Sequence, residues 1–467
     1  MLGMQVTWTG AEATLLRGIL GLAQKRFASK AGIAPSTVKK WRKLGSSIQL
    51  NENSAAIMQT LLDRATPEQR ARFAAATASK AVDGLPACDA TTDTVGQWVP
   101  GMWTTDITMV AFDLAREDLM LDRRQIGRAL LGVVAGPPLL EPLERWLRNG
   151  NPPSIPRRAR TGVGMQEVEQ LENAARVFRS WDDQHGGGLR RKAVVGQLAE
   201  VNELLGENHP PELRRRLAGT MAQLAETAAM MSWDSGHQKL AQHYYALSIR
   251  ASGEARDPAF TAVVVAGMAR QLLSLGKSAD ALELIRLAQE YSVGRLTATT
   301  QAMLYTREAW AYAQLKRPTA FRRASDKAYE VFEDSQPTGD PYWIHYFDAA
   351  ELSGTLGGRV LDMARRDPRA ADEAIELIDR AIALRRPNRV RSAALDQLGM
   401  VEARLLQGEV EEACRVGHGA LQVVEQTASD RVAKKLARVY NRTRQHVNVA
   451  GVAELRDRMR PLVAATA

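Results

Sequence analysis

The residues of this chain best equipped to do chemistry are cations. Eight stand between positions 17 and 43: Arg17, Lys25, Arg26, Lys30, Lys39, Lys40, Arg42 and Lys43. No Asp or Glu lies among them. A solvated helix face normally mixes signs, because opposite charges three or four residues apart stabilise it. A run of one sign implies an anionic partner, and the alternative is a merely solvated face. Groups suited to catalysis are scarcer. His185-Gly186-Gly187-Gly188 matches an oxyanion-hole string, but no G-x-S-x-G elbow supplies a nucleophile and the surrounding pattern is helical, so a helix-breaking turn accounts for it. His237 and His243 lie six apart, on different faces of a helix, and read as packing or surface residues. There is no P-loop phosphate motif and no H-E-x-x-H pair, and the carboxylates are scattered beside cations. Cys88 and Cys414 are far apart, without CxxC or a third ligand, so neither a disulfide framework nor a zinc site is supported. The expectation is a protein that is not an enzyme and uses no cofactor or metal.

The elements carrying those cations sit at one end of a long chain. At 467 residues it is too long for one core, and about three structural units are expected. Hydrophobic residues make up 45% and charged residues 25%, a globular composition, and the many Ala, Leu and Arg residues favour helices. The start "MLGMQVTWTGAEATLLRG" lacks the pattern of a signal peptide. Apolar runs such as "TAVVVAGMA" are far shorter than the roughly 20 residues of a membrane span. A cytoplasmic protein with no membrane partner is expected. The charge is uneven: residues 1–80 hold 12 Lys and Arg against 4 acids, the other 387 hold 50 against 49.

Apolar periodicity places the cations on helices. Leu15, Leu16, Ile19 and Leu22 make one amphipathic helix, and Ala23, Phe27 and Ala31 a second. Gly32 permits a sharp turn and Pro35 opens a third helix. On that third helix Val38 and Trp41 face the core with Ile33, which puts Ser36, Lys39, Lys40 and Lys43 outward and Thr37 and Arg42 at the flanks. Helix, glycine-containing turn and helix is a helix-turn-helix arrangement, whose outward face enters a DNA major groove. "LAQKRFASKAGIAPSTVKKWRK" resembles the XRE-type, phage-repressor-like helix-turn-helix over roughly residues 10–80. The resemblance puts Gln24 at the phosphate-contacting glutamine, Phe27-Ala28 at a Leu-Ala pair, Gly32-Ile33-Ala34 at Gly-Val-Ser, and Thr37-Val38 with Trp41 at the Thr-Ile and Trp or Ile positions. Arg42 departs from it, standing where the family often has an acid. The candidate DNA-binding residues are Gln24, Lys25, Arg26, Ser36, Thr37, Lys39, Lys40 and Lys43.

The stretch "DGLPACDATTDTVGQWVPGMW" reads as a linker, followed by short helical patterns broken by prolines at 137, 138, 142, 152, 153 and 156. The "PRRAR" run there reads either as a DNA contact or as solvated linker. From about Met165 a repeat emerges. Ala241, Ala281, Phe321, Ala374 and Ala413 each begin the second helix of a helical hairpin, at steps of 40, 40, 53 and 39 residues. The long step marks an insertion around "SQPTGDPYW" or "GGRVLDMARRDP". Gly276, Ala281 and Ala288 recur as Gly408, Ala413 and Ala420, a pattern that resembles the tetratricopeptide repeat stretched to about 40 residues. Five hairpins are expected over about 212–427, one before them over 165–206, and a cap over 428–465. Stacked hairpins form a superhelix with a concave groove.

Ten of the 26 aromatic residues lie between Tyr305 and Phe347. Two readings stand: a groove gripping a ligand, with Tyr305, Tyr342, Trp343 and Tyr346 as effector-binding candidates, or filling between repeats. The predicted fold class is all-α, in three parts: a helix-turn-helix DNA-binding domain (1–83), a linker and small helical connector (84–164), and a tetratricopeptide-like α-solenoid for sensing and dimerisation (165–467). The layout resembles helix-turn-helix regulators with C-terminal tetratricopeptide domains, among them bacterial peptide-sensing receptors. That resemblance implies a homodimeric transcriptional regulator. Its partners would be double-stranded DNA and a peptide or small-molecule effector, or a protein, in the groove. The alternative is an interaction scaffold recruiting a protein partner, with the N-terminal domain as a docking or non-specific DNA-binding module.

Overall fold

The computed structural model describes residues 8–20, 22, 24–44, 48–63, 65–66, 98, 101–120, 133–151, 163–185, 191–427 and 429–464. Cys88, the "PRRAR" run and Gly186 to Gly188 lie outside them. The described residues form an all-helical protein of twenty α-helices, with no strand beyond an isolated bridge between Thr9 and Gln49. None of these helices is long and apolar enough to cross a membrane. The chain divides into two compact units, Met1–Thr92 and Asp93–Ala467.

In the first unit, helices α1 (Gly10–Ile19), α2 (Gln24–Ala31), α3 (Pro35–Leu44) and α4 (Glu52–Asp63) enclose one core. Leu16, Phe27, Ala31, Val38 and Trp41 are buried in it, and Leu15, Leu22 and Ile33 pack partly buried against it. Burying each large side chain stabilises the unit by about 1.5–3 kcal/mol. The bend between α2 and α3 is closed by backbone bonds from Gly32 N to Ser29 O (3.2 Å) and from Ile33 N to Ala28 O (3.0 Å). Gly32 sits there at φ 65°, a left-handed conformation that suits glycine. Trp8, ahead of the first helix, joins the same core and donates from Nε1 to Gln59 Oε1 at 3.2 Å.

The second unit begins with α5 (Ile107–Met120) and α6 (Pro137–Asn149), which the sequence assigned to a connector. Both share a core with the helices that follow. Fully buried Arg250 donates to the carbonyls of Met102 (2.6 Å) and Thr105. Gln242 both donates to Val134 O and accepts from Val134 N at 2.7 Å. These two buried side chains thus have partners for their polar groups, without which burial is unfavourable.

Seven helix pairs follow: α7 (Met165–His185) with α8 (Arg191–Leu205), α9 (Pro211–Asp234) with α10 (Gln238–Glu254), α11 (Pro258–Ser274) with α12 (Ser278–Tyr291), α13 (Ala298–Gln314) with α14 (Pro318–Glu333), α15 (Ala349–Ala364) with α16 (Ala371–Leu384), α17 (Val390–Gln407) with α18 (Val410–Val424), and α19 (Asp430–Arg442) with α20 (Ala450–Ala464). Ala241, Ala281, Phe321, Ala374 and Ala413 are each the fourth residue of a second helix, and each is buried. The long step falls mainly in 334–348, where a 3-10 turn at Tyr342–Ile344 buries Trp343 and Ile344. Within a pair the backbones come close: a Cβ on Gly357 would fall 2.9 Å from that of Leu377. First helices α11, α13, α15, α17 and α19 also contact one another in series. These first helices therefore lie side by side in one layer.

Four turns inside these pairs, and the one between α10 and α11, repeat one device. Residues 236, 256, 276, 316 and 408 all have positive φ, and the next residue's N–H returns to a carbonyl five positions back, as from Lys277 to Leu272 (2.9 Å) and from Arg317 to Tyr312 (2.9 Å). Three of the five are glycine; the other two are Arg256 and Lys316.

Candidate functional site

Two surfaces carry concentrated charge. On α3, Val38 and Trp41 are buried at 4% exposure each, which turns Ser36, Lys39 and Lys40 to solvent and leaves Thr37 half-buried. Ser29 and Lys30 at the end of α2 are exposed beside the turn. Neither helix has an acid in its first turn or elsewhere along it. Gln24, Lys25 and Arg26 occupy the first turn of α2, and Lys43 the last turn of α3; their side chains, like that of Arg42, lie outside the described residues. Arg17 has a structural task, donating from Nη1 to Leu22 O at 3.1 Å.

The second surface is a cavity of about 510 Å³ inside the second unit, walled mainly by the first helices α9, α11, α13, α15, α17 and α19. Thirteen Arg and Lys line it, against four carboxylates: Glu226, Glu351, Asp362 and Asp396. Three more carboxylates pair with lining arginines from behind the wall. Asp182 is 3.6 Å from Arg391, Asp234 is 2.6 Å from Arg431 and Glu402 is 2.7 Å from Arg365. Lys434 also pairs with Asp430, at 2.6 Å, so five cations remain in excess.

Some of these cations are held by neighbours. Arg385 donates to Glu351 (2.9 Å) and Asp396 (2.7 Å), and Arg359 lies 3.0 Å from Asp362 with its guanidinium 3.9 Å from the Trp310 ring centroid. Arg270 and Arg307 have no ion pair with any carboxylate among the described residues. Arg270 rests over Trp233, 5.4 Å from its centroid. Arg307 is 2% exposed and its Nη2 has no hydrogen-bond partner among the described residues. The indole Nε1 of Trp310 is likewise buried without a partner.

The electrostatics follow. Burial pushes the Glu351 carboxyl upward, but the positive charges of Arg385, Arg270 and Arg307 outweigh it and hold it at about 2. Asp396, also buried, rises to about 6, with Arg385 pulling it down and Glu351 adding to the rise. Burial lowers the Arg270 guanidinium, and nearby Arg307 lowers it further. Burial also drives the Lys435 ammonium down to about 8. Glu351 is thus held ionised, while burial weighs against the charged forms of Arg270 and Lys435.

Of the aromatic candidates, Tyr346 lines the cavity. Trp343 is buried in the core against Phe260 (5.5 Å between centroids), and its carbonyl accepts from Arg179 Nη2 at 3.0 Å. Tyr342 hydrogen-bonds Gln223 and lies under Arg176, and Tyr305 packs partly buried against the core. Sequence reasoning missed Arg270, Arg307, Arg359, Arg385 and Trp233. The signal it could have used is a cation recurring on the first helix of successive pairs. No protein-family model and no curated protein matches this chain.

Proposed function

We propose that the protein is a sequence-specific DNA-binding transcriptional regulator. In this reading α2, the Gly32 turn and α3 are a helix-turn-helix, and α7 to α20 are a tetratricopeptide-like solenoid that binds an effector. The observation that carries it is the division of α3, with Val38 and Trp41 anchored in the core and Ser36, Lys39 and Lys40 turned outward. An α-helix enters the roughly 12 Å wide major groove, where lysines reach guanine edges and phosphates. A single reader spans a short half-site, so a second copy of the chain supplies the other half. The cationic cavity is the effector site, and its position among the stacked first helices lets a ligand alter the curvature of the repeat.

The test is selection of bound sequences from random DNA by the full-length chain, followed by a salt titration. The reading requires a recovered motif with two related half-sites, and log affinity falling with log salt by about 0.9 per phosphate contact. Recovery of random sequence alone would retire it.

A further inference from the structure

The cavity's chemistry says what kind of effector it takes, an inference that rests on the reading of the second unit as a ligand-binding module. We propose that it binds a small molecule carrying two or more phosphoryl groups, with Arg270 and Arg307 meeting the anionic groups and Trp310 donating to an acceptor elsewhere on the ligand. An ionised guanidinium buried without an ion-paired carboxylate is unfavourable, and a ligand's anionic group at that position relieves it. Arg307 is in that position, 2% exposed, on the wall, with Nη2 lacking a partner among the described residues. Arg270 beside it has no paired carboxylate there either, and Trp233 holds its guanidinium plane.

The size and charge of the site separate phosphate from a peptide. About 510 Å³ falls inside the range of small-molecule pockets. A peptide's terminal carboxylate brings one negative charge, whereas each phosphoryl group brings about 1.5–2 and three acceptor oxygens that match the arginine fork. An excess of five cations calls for several such groups. The carboxylates already present do not fill this role. Glu351 and Asp396 are engaged by Arg385, and Asp362 by Arg359 and Arg365.

The test is calorimetric titration of the full chain with tripolyphosphate, a nucleoside triphosphate, orthophosphate and an acidic peptide, at about 0.15 M salt. Expected is one site per chain for tripolyphosphate or the nucleotide, orthophosphate far weaker, and the peptide weaker than both polyphosphates. Arg307→Met and Arg270→Gln should each weaken polyphosphate binding about 10- to 150-fold. Thermal melting without ligand checks that Arg307→Met is folded. Should that variant fail to fold, Arg270→Gln at a half-buried position carries the comparison. Absence of binding by either polyphosphate at millimolar concentration, tighter binding of the acidic peptide, or full affinity in the folded variants overturns the assignment. A parallel gel shift separates this proposal from the regulator reading. Polyphosphate binding without effect on DNA supports the site and retires the sensor role, and DNA binding without polyphosphate binding overturns the site alone.

Discussion

Arg431 donates from Nε to Oδ1 of Asp234 at 2.6 Å, joining residues 197 positions apart. Arg391 takes the other oxygen of the same carboxylate and lies 3.6 Å from Asp182. The ends of α7 and α9 are thereby tied to the starts of α17 and α19, and the late helix pairs return to the early ones around the cavity. Trp233, next in sequence, lies under Arg431 at 4.5 Å.

This tie should contribute to the acid stability of the second unit. Burial pushes Asp234 upward, but Arg391 and Arg431 outweigh it and hold it at about 2. Its unfolded value is about 3.9, so its contribution is full above that pH and is lost as the pH falls towards 2. Asp234→Asn removes it at neutral pH and leaves two buried guanidinia short of a partner, a change expected to destabilise by about 3–5 kcal/mol. Denaturant unfolding of the full chain checks this, and an unchanged second-unit transition would show that the tie contributes nothing.

Lys40 should matter to DNA and not to folding. It is exposed on α3, so Lys40→Glu should leave the melting temperature within error while weakening site binding by about 1–3 kcal/mol, or 5- to 150-fold. Anisotropy with a selected site measures this, and undiminished affinity in a folded variant would remove α3 from the interface.

Lys316 is exposed and holds φ 58° where the equivalent turns at 276 and 408 use glycine. The left-handed conformation disfavours a Cβ by roughly 1–2 kcal/mol, partly offset by the greater freedom of glycine in the unfolded chain. Lys316→Gly should therefore stabilise by about 0.5–1 kcal/mol in denaturant unfolding. A loss of stability would mean that the lysine side chain makes a compensating interaction.

Lys435 gives the alkaline side its signature. Burial lowers it to about 8, with Arg359 adding to that, while Glu402, Asp396 and Asp362 act the other way. The unfolded chain, with a lysine near 10.4, binds more protons above pH 8, so stability gains a rising component through that window. The ammonium is half-buried and donates to Leu395 O at 2.8 Å, so the component is about 1 kcal/mol between pH 8 and 9.5 after allowing for solvent screening. Unfolding of wild type and Lys435→Met compared across that range should differ by this slope; parallel curves would refute it.

The helices were legible because their periodicity is local. Phe27, Val38 and Trp41 repeat at helical spacing, and Ala281 and Ala413 recur at fixed intervals after Gly276 and Gly408. The attachment of α5 and α6 to the repeat was not, since it depends on pairs such as Val134 with Gln242, 108 residues apart. Nor was the cavity. Residues 81–467 are nearly neutral in sum, so a charge count hides the arginines that fold onto one wall, where they outnumber the carboxylates. The aromatic cluster near the insertion drew attention by composition, yet Trp343 fills the core and Trp310 and Tyr346 reach the wall.

The central claim joins a DNA reader to an anion-sensing repeat in one chain, and one titration addresses it most directly. Affinity of the full chain for its selected DNA site would be measured with and without saturating tripolyphosphate, in wild type and in Arg307→Met. The account predicts a change of about 5- to 150-fold in wild-type affinity on adding the polyanion, and none in the variant. Identical wild-type affinity in both conditions, with polyphosphate binding independently verified, would contradict it.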